Sequence, residues 1–198
     1  MLEMLNANDN DSYLDSFLIT RRPGSGGWFI ILPHTNPGAR DMVVKSVDTW
    51  LEEYGESHQN PVNKAIHWVC VPLIALSLVG VLWDLPVPRA FVEISPVMNW
   101  GMLFLMASIV YYFILSPRLA VGMVFVTAGF VFALWWLDTL STPLWQISVA
   151  IFVAAWIGQF IGHAIEGQKP SFFEDLQFLM IGPLWLLSFV YRRLGIRF

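Results

Sequence analysis

The chain has 198 residues, of which 56% are hydrophobic and 13% charged, and its formal net charge is −4. A soluble domain carries about 25% charged residues, so a water-soluble globule is excluded, and the lack of a basic excess excludes a nucleic-acid partner. Fifteen Phe and ten Trp complete the signature of an all-α integral membrane protein, because aromatic rings gather at bilayer interfaces.

Residues 1–40 read as a poorly ordered extension ahead of a single membrane-embedded helical domain over 41–198. Asn, Asp and Ser dominate its start, Arg21–Gly27 reads as a loop, and the apolar stretch Trp28–Leu32 is too short to cross a bilayer. His34 follows Pro33 and reads as a loop histidine. Val43, Val44, Val47, Trp50, Leu51 and Tyr54 then recur at helical spacing, with Lys45, Asp48, Glu52 and Glu53 opposite. This predicts an N-terminal amphipathic helix on the membrane surface or against the bundle, ended by Gly55. A polar link, Glu56–His67, leads into apolar segments over 66–83, 97–115, 119–137 and 144–165, each near the length a bilayer core requires. Cys70 lies in the first of these as a small apolar residue. A fifth segment, 176–191, is shorter, is broken by Gly182-Pro183, and is followed by Arg192, Arg193 and Arg197. The expected fold is four transmembrane helices plus a shorter, tilted or re-entrant fifth.

Topology decides where chemistry can gather. If four segments alternate, the start of the first and the end of the fourth share a membrane face. His58 and His67 stand at the one; His163 and Glu166 close the other within Gln159-Phe-Ile-Gly-His163-Ala-Ile-Glu166-Gly-Gln-Lys169-Pro170. His163 and Glu166, three apart, share a helix face, with Gln159 one turn earlier. Lys45, Lys64, Arg118 and Lys169 mark the same face as cytoplasmic. No charged residue lies deep in a segment, which argues against an ion path through the bilayer.

Neutral imidazoles suit iron, zinc or copper, and a carboxylate could be a ligand or orient one. Non-haem iron enzymes that use O2 need a few protein ligands and open positions, which three histidines would meet. Asn60 and Asn63, beside Pro61, are turn formers or orient the histidines; Lys169 is an interfacial charge or a partner for a fatty-acid carboxylate. Two other classes remain open on the residues alone. A haem-binding electron carrier would use paired histidines inside the bundle, and a non-catalytic lipid-binding or scaffold protein would use the polar face for a partner.

Tyr54-Gly-Glu-Ser-His58-Gln-Asn60-Pro-Val-Asn63-Lys-Ala-Ile-His67 followed by Pro72, and then Gln159–Pro170, resemble the two signatures of the small membrane 2-hydroxy fatty acid dioxygenases. The resemblance covers about residues 45–191. It implies an Fe2+ enzyme that takes a 2-hydroxy fatty acid and O2 and releases a fatty acid one carbon shorter, the α-oxidation step of phytosphingosine breakdown. Carried onto this chain, it implies His58, His67 and His163 as metal ligands and a catalytic part for Glu166, with membrane lipid around the acyl tail. The host membrane expected is a bacterial inner membrane, or the endoplasmic reticulum in a eukaryote, since no retention signal stands at Arg197-Phe198.

Overall fold

The computed structural model describes residues 18–21, 28–31, 45–169 and 177–198. The chain divides into two compact units, Met1–Val44 and Lys45–Phe198. In the first, strands β1 (Leu18–Arg21) and β2 (Trp28–Ile31) pair antiparallel, Leu18 opposite Ile31 and Arg21 opposite Trp28. Both strands are rich in β-branched and aromatic residues, which suit a pleated ladder. Poor order was expected throughout this segment, and the hairpin is a difference from that expectation. His34 and the rest of residues 1–40 lie outside the described residues.

The described residues of the second unit form only helices, and their boundaries follow local chemistry. Ser46 caps α1 (Val47–Glu56) by accepting from the Thr49 amide at 3.2 Å, satisfying an amide that the first turn leaves unpaired. Val47, Trp50, Leu51 and Tyr54 form its buried face, and the helix runs through Gly55 rather than ending there. Asn60 caps α2 (Pro61–Trp83) through the Val62 amide at 2.9 Å, with Pro61 in the first turn where its missing N–H costs nothing. The helix therefore begins before Ile66, and His67 lies inside it rather than at its mouth. A short α3 (Arg89–Ile94) precedes α4 (Trp100–Leu115). Ser116 ends α4 and caps α5 (Pro117–Asp138), making the hairpin tight. After α6 (Leu144–Glu166), Gly167 turns the chain at φ 75°, a conformation that glycine adopts without a Cβ penalty. The last helix is α7 (Phe178–Arg193).

Among the described residues, α2, α5 and α6 are long and apolar enough to cross a membrane. At about 1.5 Å per residue, α4 is about 24 Å long, short of the roughly 30 Å hydrocarbon core. Three of the four expected crossings thus have the length and composition to span, and α4 is apolar but shorter. Exposed apolar side chains such as Ile114, Phe125, Phe132 and Ile157 cover the outer faces, as a lipid-facing surface requires.

α7 is placed differently from the other long helices. Gly182-Pro183 does not break it: the helix is continuous, and Ile181, Leu184 and Trp185 are buried around the proline. Its first turn packs on α1, with the Phe178 ring 5.5 Å from Trp50. Its last turn meets the α4–α5 hairpin, where the Tyr191 hydroxyl donates to the Arg118 carbonyl at 2.9 Å. Between these, Phe189 faces Trp68 near the start of α2. All these partners lie at one end of the bundle, so α7 lies across that end. Arg192 and Arg193, at the end of α7, thus fall at the same end of the bundle as His58.

Candidate metal centre

Three imidazoles meet beneath α7. His58 comes from the link after α1, His67 from the second turn of α2 and His163 from the last turn of α6; all are buried. Their ring centroids lie 4.2 to 5.0 Å apart, and one nitrogen from each falls within 4.8 Å of the others. The backbone fixes two of the tautomers. His67 Nδ1 donates to the Asn63 carbonyl at 2.9 Å, and His58 Nδ1 donates to the Tyr54 carbonyl. A carbonyl only accepts, so each Nδ1 carries the proton and each Nε2 presents a lone pair. These two Nε2 atoms face each other at 2.8 Å. Two lone pairs at that separation repel unless a cation or a proton lies between or beside them. Burial, and then repulsion from His67, push the His58 pKa down to about 3, so the imidazole stays neutral and ready to ligate at neutral pH. His163 Nδ1 is buried with no hydrogen-bond partner, a donor or acceptor left open in the cluster.

Glu166 stands outside this group of three and grips the link that carries His58. Oε1 accepts from the Gln59 amide at 2.8 Å, and Oε2 from the Asn60 amide at 2.9 Å and from Asn63 Nδ2 at 3.0 Å. Asn63 is fully buried, and a Cβ at Gly162 would collide with its Oδ1. Gly162 thus lets α2 and α6 approach closely enough for the Asn63–Glu166 bond. Asn60 serves as cap of α2 and as donor to Glu166. Gln159 is buried beside the histidines with Nε2 unpartnered. Lys169 is exposed beyond α6, and Pro170 lies outside the described residues.

A cavity of 290 Å³ opens from this cluster into the bundle. His58, His163, Gln159 and Tyr54 line its polar end, and α7 covers that end through Phe178 and Met180. The remaining wall, from α2, α4, α5 and α6, is almost entirely apolar, and its few hydroxyls are satisfied locally: Ser108 donates to Phe104 and Thr127 to Met123. A polar head with metal-ligand character thus leads into an apolar shaft.

The model of the 2-hydroxy-palmitic acid dioxygenase Mpo1-like family matches residues 44–194, well over half of the chain. The chain belongs to this family. Comparisons with curated proteins and with solved structures found no match.

In this Mpo1-like chain the donor set fits a divalent metal. Neutral imidazoles with their second nitrogen held by a carbonyl are the usual form of a metal-bound histidine, and the unpartnered His163 nitrogen adds a third position. Two aromatic side chains frame the cluster. The Tyr54 ring stacks on His58 at 4.3 Å and 12°, and Trp185 lies 5.2 Å from the same ring. Burial also raises the Tyr54 pKa, so its hydroxyl stays neutral. The spacing of four between Tyr54, in the last turns of α1, and His58, just past its end, was the available signal; nothing in the sequence placed Trp185 there.

Proposed function

We propose that the chain is an Fe(II)-dependent dioxygenase that cleaves 2-hydroxy fatty acids between C1 and C2 with O2, leaving a fatty acid one carbon shorter. The observation that carries this reading is the pair of carbonyl-locked histidines whose Nε2 lone pairs converge beside His163 at the mouth of an apolar shaft. His58, His67 and His163 would hold the iron, which when bound supplies O2 activation and a chelating position for the 2-hydroxyl and carboxylate of the substrate.

The chain's own residues do the rest. Tyr54 and Asn63 carbonyls hold the ligand tautomers, and Glu166 fixes the link that brings His58 to the other two. Gln159 Nε2, buried and unpartnered at the polar end, would donate to a substrate oxygen. Phe178 and Met180 from α7 screen the head group from water. The acyl tail would lie in the shaft, where each methylene contributes about 0.8 kcal/mol relative to water; the same apolar surroundings fit an enzyme that sits in a membrane. In α-oxidation the substrate would come from sphingoid-base breakdown.

A haem-binding carrier is disfavoured by the geometry, since the facing Nε2 atoms leave no room for a porphyrin between them. A non-catalytic lipid-binding protein would use the same shaft but predicts no metal. Protein purified in detergent without oxygen, beside His163→Ala, separates the readings. Near-stoichiometric iron that the variant lacks, with turnover of 2-hydroxypalmitate, supports the proposal. No iron after an Fe(II) soak, or full turnover in both His58→Ala and His163→Ala, overturns it.

A further inference from the structure

The far end of the shaft is closed, and the closure has a consequence for tail length. The helices order its wall by depth: Val71 lies near the mouth on α2 and Val79 at the bottom, Tyr112 and Phe104 bracket it on α4, and Met123 and Phe130 on α5. Eight residues of helix give a depth of about 12 Å. No described residue nearer the far ends of α2, α4 or α5 lines it. Below it lies packed side-chain matter: Val79, Leu105, Leu134 and Leu144 form a buried cluster, with Phe104 and Trp83 against it. Val79 and Leu105 belong both to the wall and to this cluster. Behind them the backbone has no slack, because a Cβ at Gly80 would collide with Ser148 and press on Leu134.

We infer that Val79, Leu105 and Phe130 form the floor of an acyl-length ruler, so that the site selects 2-hydroxy acids by tail length as well as by head group. This rests on the dioxygenase reading for the head group, whereas the tail site stands on the cavity itself. Referred to the free acid in water, tail binding strengthens roughly fourfold per methylene, the factor that 0.8 kcal/mol supplies, until the terminal methyl reaches the floor. A longer tail then has to displace a close-packed cluster, which costs more than it gains, so affinity levels off or falls.

The test measures binding of saturated 2-hydroxy acids of increasing length, and of the same acids lacking the 2-hydroxyl, to metal-free protein in lipid nanodiscs by displacement of a fluorescent fatty acid, each affinity being referred to the free aqueous concentration of the acid. Wild type should show a steep rise and then a break. Leu105→Ala and Phe130→Ala deepen the shaft and should move the break to a longer acid; Ala75→Leu, which fills the shaft halfway down, should move it to a shorter one. Ala75→Leu and Phe130→Ala keep the test decisive if Leu105→Ala does not fold. An unbroken rise in wild type, or a break that none of the folded variants moves, overturns the ruler. Breaks that move as expected in protein that turns over no 2-hydroxy acid when loaded with iron would uphold the ruler and overturn the dioxygenase.

Discussion

The two ends of the helical bundle are built from different chemistry. At the end covered by α7, five polar side chains are buried together, His58, Asn63, His67, Gln159 and His163. Carbonyls and a carboxylate from three different elements satisfy most of them. At the other end the buried positions are mainly apolar, Val79, Leu105, Leu134 and Leu144 with the small hydroxyls of Ser77 and Ser148 among them, while Trp135, Trp136 and Trp145 stand exposed around the rim as an interfacial belt does. The far end spends its sequence on packing and anchoring. The near end gives up apolar burial to hold polar groups that bond incompletely among themselves. A fold that keeps Gln159 Nε2 and His163 Nδ1 buried without partners pays desolvation that only a ligand recovers, and this contrast locates function without reference to any relative.

Substitutions should break the contrast in a graded way. The largest effect is expected at the ligands: His58→Ala and His67→Ala should lose bound metal and all turnover while the protein stays inserted, as read by metal analysis and product chromatography. Next is the clamp. Glu166→Ala frees the Gln59 and Asn60 amides and should weaken metal affinity by about 10- to 100-fold, measured by competition with a chelator; unchanged affinity would reduce Glu166 to a cap on the link. At the far end Leu134→Ala should cost about 2–4 kcal/mol of stability, seen in unfolding from mixed micelles, with metal affinity intact. If that variant loses metal as well, the two ends are not independent. The last effect appears only in acid. His58 titrates at about 3 in the fold against an ordinary value near 6.5. Between these values the unfolded chain binds the proton that the fold refuses, so metal-free protein should lose stability as pH falls from about 6.5 toward 3, and gain nothing from His58 above that window. His58→Gln should flatten that part of the profile.

Much of the near end could be read in the sequence because it depends on topology. Alternating apolar segments place residues 58–67 and 159–166 at one face whatever the details of packing, and the three histidines do meet. What could not be read depends on distances. The i, i+3 pair of His163 and Glu166 suggested a shared target, yet the carboxylate turns to the amides of Gln59 and Asn60, because the caps of α2 offer donors that a metal cluster does not. The Gly182-Pro183 pair suggested a break, yet α7 runs on, since packing on both sides outweighs one missing hydrogen bond. Three of the four expected long spans have the length to cross; α4 begins at Trp100, where Asn99 caps it, and the cap shortens it. The shaft itself leaves no trace in the sequence, because its apolar wall residues have the same pattern as ordinary core.

The glycines and small residues between α2 and α6 have a mechanical consequence. Gly80 against Ser148, Gly158 against Cys70 and Gly162 against Asn63 let these helices touch along their length, and Glu166 pins their ends. Two of the three histidines are thus mounted on one stiff beam. The contacts of that beam with α5 are sparse by comparison, so thermal breathing of the bundle falls on the α4–α5 hairpin. Amide exchange should therefore be slow along α2 and α6 and faster along α4 and α5.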